Sequence, residues 1–182
     1  MHLRLLLASL SLTLLTTSVS AAKKPEDVFG GRIMTSANAY PLNSKSVSAY
    51  IGQVKKQSKD RFWENKEKKE WIIYYAAFFK KPVNDLEVTL KTYDVTSGAA
   101  RMVESYEIYV ESRDQRVVTG RVNLKRGDDG SNYMPNSKIR MVLENRGRIL
   151  ASSTFYVQGE GKRFTGKVEF SEEEATQGTD SK

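Results

Sequence analysis

Residues 71–95 read WIIYYAAFFKKPVNDLEVTLKTYDV and contain the clearest strand patterns in the chain. The first nine carry no charge and are rich in aromatic and β-branched types, which predicts a strand covered on both faces. Over residues 86–91 apolar and polar side chains alternate, and this period of two predicts a half-buried strand. Between the two runs, Pro82 and the pair Asn84-Asp85 favour a turn. We therefore predict two neighbouring strands, with a sheet extending outward from them.

Similar alternating runs, separated by turn signals, follow through the rest of the chain. A short strand at 61–63 precedes a charged turn at 64–70, and the loop at 127–132 is rich in Gly, Asp and Asn. The later runs have apolar faces formed by Tyr106/Ile108/Val110, Val118/Gly120/Val122/Leu124, Ile139/Met141/Leu143, Ile149/Ala151/Ser153/Phe155/Val157 and Phe164/Gly166/Val168/Phe170. Seven or eight short strands with little helix predict an all-β domain, a single antiparallel β-sandwich of the immunoglobulin-like kind.

The N-terminal region has a different pattern. Arg4, the apolar run at 5–15 and the small residues up to Ala22 have the layout of a secretory signal peptide, so we expect residues 1–22 to be removed on export. The apolar run is shorter than the roughly 20 residues of a membrane-spanning helix, and we expect no transmembrane segment after cleavage. We further predict an extended arm at 23–43, one β-sandwich domain at 44–170 and a disordered tail at 171–182.

One short helix is predicted inside this all-β pattern. Val47, Tyr50, Ile51 and Val54 have the spacing i, i+3, i+4, i+7, and Ser44 or Ser46 could cap the start. Gly52 weakens the pattern, so a strand is the alternative.

The chain contains no Cys, and its only His is His2, inside the predicted signal peptide. The exported protein would therefore have no disulfide and none of the usual zinc, copper or non-haem iron ligand sets. Ser-His-Asp and Cys-His catalysis are excluded for the same reason. We expect no cofactor, and the only enzyme class left open is carboxylate-only chemistry such as glycoside hydrolysis, for which Glu104, Glu107 and Glu111 are the candidates.

The formal net charge is +7 and the sequence pI is about 9.5, which favours an anionic partner. Basic and aromatic residues interleave in residues 55–69, a pattern that can bind polyanions through counterion displacement and stacking. A second basic stripe could form on the strands at 118–125 and 138–144 if these two strands are neighbours, and scattered solubilising charge is the simpler interpretation. The candidate binding residues of the two regions are Lys55, Lys56, Arg61, Trp63, Arg121, Lys125, Lys138 and Arg140.

Two other motifs are weaker. Asp128, Asp129 and Asn132 offer oxygen ligands of the kind that calcium prefers, but their spacing differs from that of an EF-hand, so an ordinary Asp-Gly turn is the simpler interpretation. Arg126-Gly127-Asp128 spells an adhesion tripeptide, a match that three residues often make by chance.

The segment IRMVLENRGRILASSTFYVQGEG, residues 139–161, resembles a hairpin of bacterial immunoglobulin-like sandwich modules. In those modules an alternating strand, an Asn/Gly turn and a small-residue strand that ends in Phe-x-Val form the last strand pair. The whole chain also resembles secreted proteins of predatory or social proteobacteria, a family that brings no assigned activity. The resemblance implies the fold and supplies no site residue.

From these patterns we expect an exported, non-catalytic binding or structural module of the cell envelope, periplasmic or extracellular. Its partner would be an envelope protein that binds an edge strand or the basic face. The alternative is binding of an anionic glycan or another polyanion, and a carboxylate-only hydrolase is a distant third. Nucleic acid is not expected as a partner, because export separates the protein from the genome.

Overall fold

The computed structural model describes residues 23–41, 43–127 and 132–159. Within these ranges the elements are α1 (Pro25–Phe29), β1 (Arg32–Ser36), α2 (Val47–Gln57), β2 (Arg61–Trp63), β3 (Glu70–Phe78), β4 (Glu87–Asp94), β5 (Arg101–Tyr109), β6 (Val117–Lys125), β7 (Ser137–Asn145) and β8 (Arg148–Gln158). The predicted signal peptide, the run at 164–170, the tail at 171–182 and the two aspartates of the proposed calcium loop lie outside the described residues.

The eight strands form one curled sheet in the order β5-β4-β7-β8-β1-β3-β6. The short strand β2 pairs with β8 beyond the end of β1, so that the two strands share one edge of β8. β8 runs parallel to both of them, whereas the other pairs are antiparallel. The prediction of a mostly β fold is confirmed. The purely antiparallel arrangement needs correction, because the sheet is mixed.

The predicted strands of residues 71–95 are present as β3 and β4, but they are not neighbours. β3 lies between β1 and β6, and β4 lies between β5 and β7. The segment that joins them does not form a tight turn, because the backbone N–H groups of Phe79, Val83 and Asn84 donate to the carbonyls of Arg116, Gln115 and Arg113. It therefore runs beside the segment that precedes β6 and carries the chain to the other half of the sheet.

The concave face of the sheet holds the main core. Trp71, Ile73, Leu90, Met141 and Phe155 are fully buried there, each in phase with the period-two alternation of its strand. Burial of such a side chain contributes roughly 1.5–3 kcal/mol. The Trp71 indole also donates from Nε1 to the carbonyl of Gln158 at 2.8 Å, which fixes the end of β8 against β3.

The two helices cover half of the convex, outer face. Val54 of α2 and Phe29 of α1 are buried against Phe78 of β3, with the Phe29 and Phe78 ring centroids 4.9 Å apart. The predicted helix is confirmed as α2, and Ser46 caps it by accepting a hydrogen bond from the backbone N–H of Ala49. The remaining outer face, on β7, β8, β4 and β5, has no helix above it among the described residues.

The predicted extended arm at 23–43 contains two regular elements in the structure. Residues 25–29 form α1, and residues 32–36 form β1, which is hydrogen-bonded along its whole length to β3. Ile33 faces the main core and is buried. A five-residue strand is too short to show a clear period in the sequence, so its place inside the sheet depends on β3 and β8 rather than on its own pattern.

Candidate functional site on the outer face of the sheet

A group of cationic and aromatic side chains lies on the uncovered part of the outer face. They come from β2, β7 and β8, and we call them the basic-aromatic face: Arg61, Trp63, Lys138, Arg140 and Tyr156. Their strand neighbours Phe62, Ile139 and Phe155 point the other way and are buried. The alternation of the strands therefore places all five side chains on one surface.

The register of the three strands brings Arg61, Tyr156 and Lys138 into one row. Arg61 pairs with Tyr156 in the parallel β2–β8 pairing, and Lys138 pairs with the same tyrosine in the antiparallel β7–β8 pairing. The Arg61 guanidinium carbon lies 5.8 Å from the centroid of the Tyr156 ring, and Lys138 Nζ lies 5.9 Å from it. Both cations are within cation–π range, so the ring holds two positive charges close together.

The aromatic part of this face is open to solvent. Trp63 is 59% exposed and Tyr156 is 37% exposed, although both are large apolar side chains. The alternation of β2 explains why Trp63 stays outside, since Phe62 occupies the buried position and packs edge-on against Phe155, with ring centroids 5.5 Å apart. Phe62 thus anchors the strand that presents Arg61 and Trp63.

Within the described part of the chain, no carboxylate neutralises the cations of this face. Among the described residues, Arg61, Lys138 and Arg140 form no ion pair. On the neighbouring strands pairing does occur, for example between Lys91 Nζ and Glu144 Oε1 at 2.5 Å. Three cations that pair with no described carboxylate stand beside two exposed rings, and this surface is complementary to an anion with a flat apolar side.

The predicted stripe across two strands is not present. Arg121 and Lys125 lie on β6, at one edge of the sheet, while Lys138 and Arg140 lie on β7. Three strands stand between β6 and β7, about 19 Å of sheet at the usual strand spacing. The reason is that β7 pairs with β8 and β4 instead of with the strand that precedes it in sequence.

Lys55 and Lys56 belong to the last turn of α2, where both side chains are exposed. Cations are favourable at this position because the free carbonyls of the helix carry a partial negative charge.

Of the eight predicted residues, the structure brings together four: Arg61, Trp63, Lys138 and Arg140. Sequence reasoning missed Tyr156. Its alternation with the buried Phe155 and Val157 was a signal that it faces outward, but only the pairing with β2 and β7 places it between two cations.

Two of the carboxylate candidates, Glu104 and Glu107, have different surroundings. Glu104 faces inward and accepts hydrogen bonds from the hydroxyls of Tyr106 and Tyr133, the latter at 2.8 Å. Thr92 Oγ1 lies 2.5 Å from the Tyr133 hydroxyl. Burial raises the pKa of both tyrosines well above the usual range, so they remain neutral donors to the carboxylate. Glu107 follows Tyr106 on β5 and lies opposite Thr89 of β4, and its side chain is exposed.

Two further observations concern the described residues as a whole. They contain no group of three or more His, Cys, Asp or Glu side chains that could hold a metal ion. No helix among them is long and apolar enough to cross a membrane.

No family model matches the sequence, and no curated protein matches it. Among solved structures, the chain is similar to an immunoglobulin-like protein of Pseudomonas aeruginosa, with 12% identity over 71% of this chain and 94% of that one, at a TM-score of 0.38. It is also similar to the alkylpurine DNA glycosylase AlkC of Pseudomonas fluorescens bound to DNA containing an abasic site analogue, with 13% identity over 54% of this chain and 28% of that one, at a TM-score of 0.32. The first of these is a weak resemblance to an immunoglobulin-like protein, the kind of module that residues 139–161 resemble.

Proposed function

We propose that this protein is an exported, non-catalytic binding module that recognises an anionic glycan through the basic-aromatic face. The observation that carries the proposal is the row Arg61, Tyr156 and Lys138, in which two cations that form no ion pair with any described residue flank one exposed ring. The curled, immunoglobulin-like sheet acts as the scaffold that holds this row in place. Export is part of the proposal and depends on the signal-peptide pattern of residues 1–22.

The chemistry of the face fits a sugar chain that carries carboxylate or sulfate groups. A sugar ring has a flat apolar side, which can lie on the exposed surface of Trp63 or Tyr156, as apolar bodies do on aromatic residues in binding sites. The anionic groups of the same chain would accept charge-assisted hydrogen bonds from Arg61, Lys138 and Arg140. An extended ligand suits the surface better than a small molecule, because the five side chains lie on an open sheet face rather than in a closed cavity.

The test is affinity electrophoresis of the purified protein in native gels that contain either dextran sulfate or uncharged dextran. We expect retardation by dextran sulfate that weakens as salt rises, because binding releases the counterions of the polymer. The double variant Arg61→Glu/Lys138→Glu should lose about tenfold or more in affinity, since two charge-assisted contacts of roughly 1.5–3 kcal/mol each are removed.

The matched control is Arg121→Glu/Lys125→Glu, which changes the net charge by the same amount on a distant strand. We expect less than about a twofold effect from this control, because it leaves the basic-aromatic face intact. Equal loss in the two double variants would mean attraction by net charge alone, and the assignment of the face would be wrong. The variant Trp63→Ala separates stacking from charge, since it should weaken binding of dextran sulfate but not of polyphosphate, which has no sugar ring.

A protein partner is the second candidate, and one observation favours it. Among the described strands, β5 pairs only with β4, and its Tyr109 and Met102 are 75% and 56% exposed. An edge of nine residues with which no described strand pairs could accept a strand from another protein. Binding to envelope proteins that persists at high salt and is abolished by Ser105→Pro, at an edge position, would support this function over glycan binding.

A further inference from the structure

A second surface, at the opposite end of β8 from the basic-aromatic face, combines an apolar floor with a cationic rim. It is a groove of about 360 Å³ between the start of β1, the end of β3 and the start of β8. Phe79, Ile149 and Leu150 form the floor, while Lys80, Lys81 and Arg148 stand around it. The seventh lining residue is Gly31, and no carboxylate contributes to the lining.

The floor exists because of an irregularity in β8. The β7–β8 register shifts between Leu143, which pairs with Ala151, and Glu144, which pairs with Ile149. Leu150 is therefore the extra residue of a β-bulge, and bulges re-aim side chains. In a regular strand Ile149 and Leu150 would point to opposite faces, but here both line the same groove. Ile149 is left 54% exposed, an apolar side chain without a protein partner over about half of its surface.

The rim is positioned by two glycines. A Cβ at Gly30 would lie 3.1 Å from Lys80 Cγ, and a Cβ at Gly31 would lie 3.3 Å from Lys80 Cε. The aliphatic part of the Lys80 side chain therefore lies against the backbone of Gly30 and Gly31, where a side chain on either residue would contact it. Gly31 has a φ of +84°, and its N–H and carbonyl are bonded to Phe78 and Ser152, so this backbone is held firmly between β3 and β8. Among the described residues, Lys80, Lys81 and Arg148 form no ion pair.

We infer that this groove binds a single-chain amphiphile with an anionic head, a fatty-acid carboxylate. The acyl chain lies on Phe79, Ile149 and Leu150, where it covers the exposed apolar surface of Ile149. The carboxylate is bound by the three cations of the rim, none of which pairs with a carboxylate among the described residues. A purely polar anion would leave the floor uncovered, and a neutral lipid would leave the cations unpaired, so both parts of the ligand are required.

The test is isothermal titration of the protein, expressed from its full sequence, with three ten-carbon ligands below their micelle concentrations: decanoate, decanol and decyltrimethylammonium. We expect saturable binding of decanoate, at least about tenfold weaker binding of decanol, and no binding of the cation, because only the carboxylate pairs with the rim. Binding of decyltrimethylammonium as tight as that of decanoate would overturn the inference.

Variants locate the site. Lys80→Glu/Lys81→Glu should weaken decanoate binding by about tenfold or more, and Ile149→Ser should weaken it through the lost apolar contact. Arg121→Glu/Lys125→Glu, on β6 and outside both proposed binding surfaces, changes the net charge by the same amount and should leave decanoate binding unchanged. Unchanged binding in the rim variant would overturn the proposal. A circular-dichroism melt of each variant separates lost binding from lost folding.

A membrane surface is the competing occupant, and sedimentation with phosphatidylglycerol vesicles distinguishes it. Saturable decanoate binding that competes with the vesicles supports the groove as a site for a free amphiphile. Sedimentation with vesicles in the absence of decanoate binding would show that the rim contacts lipid headgroups, and the fatty-acid site would be rejected. Dextran sulfate binding tests the basic-aromatic face, and decanoate binding tests the groove. The proposed glycan site and the proposed fatty-acid site can therefore fail independently.

Discussion

Gly120 lies directly opposite Tyr75 in the β3–β6 pairing, and the tyrosine ring occupies the space that a side chain at position 120 would need. A Cβ built on Gly120 would lie 2.4 Å from the Tyr75 hydroxyl oxygen and 2.6 Å from Cζ. The absence of a side chain at Gly120 thus allows the buried Tyr75 ring to lie across β6, the last strand of the sheet. The conformation of Gly120 is not the constraint, because its φ is not positive.

Gly120→Ala should therefore destabilise the protein by about 1–3 kcal/mol, since the Tyr75 ring must move within a filled core. Gly52→Ala is the matched control. Gly52 lies in α2 with nothing within 4 Å of its Cβ position, so alanine there should stabilise by about 0.5–1 kcal/mol through its better helix propensity. Urea denaturation of both variants checks the contrast, and a neutral Gly120→Ala would contradict the packing described for Tyr75.

The interior hydrogen bonds of Tyr133 support a second prediction. Tyr133 is 1% exposed, donates to Glu104 and contacts the Thr92 hydroxyl. Tyr133→Phe should lower the free energy of unfolding by about 1–3 kcal/mol, because the buried polar groups of its partners lose a hydrogen bond. Tyr109→Phe, at a 75% exposed position, should change it by less than about 0.5 kcal/mol. Similar melting temperatures for the two variants would show that the network does not stabilise the fold.

Stability should fall at alkaline pH. Burial raises the pKa of Tyr75 to about 12, while an unfolded tyrosine ionises near pH ~10. The unfolded chain therefore loses this proton first, so the contribution of the neutral Tyr75 is complete below pH ~10 and is lost as pH rises toward about 12. The loss amounts to roughly 2–3 kcal/mol for this group.

Denaturant titrations of the wild type and of Tyr75→Phe, at about pH 9 and about pH 12, measure this contribution. The variant should lose less stability than the wild type between the two pH values, because it removes one of the groups that ionise. Equal losses would mean that Tyr75 ionises at the same pH in both states.

The two tryptophans provide an optical test of the site. Trp71 is fully buried, and Trp63 is 59% exposed on the basic-aromatic face. We expect acrylamide to quench the Trp63 emission strongly and the Trp71 emission weakly, so that Trp63→Phe leaves a blue-shifted, poorly quenched spectrum. Dextran sulfate should protect Trp63 in the wild type. Quenching that dextran sulfate does not reduce would place the ligand away from this ring.

Several strands of the fold were predictable from local pattern. β3 and β4 follow from the run at 71–79 and the alternation at 86–91, and β6 follows from Val118, Val122 and Leu124, all of which are buried. These predictions succeed because a period of two depends only on side chains that are near in sequence. The same holds for α2, whose apolar spacing and Ser46 cap are both local features.

The sequence by itself determined most of the side chains that face inward, with Ile149 at the β-bulge as an exception, and that export would leave no His or Cys for metal or triad chemistry. Only the tertiary structure decided which strands are neighbours. β6 and β7 are adjacent in sequence but have three strands between them in the sheet, whereas Arg61 and Lys138 are 77 residues apart and share the ring of Tyr156. The physical reason is that strand pairing is set by how the whole core is buried and by loops that cost little extra entropy when they are long. A local pattern therefore identifies a strand and its faces, and the packing of all strands together assembles the site.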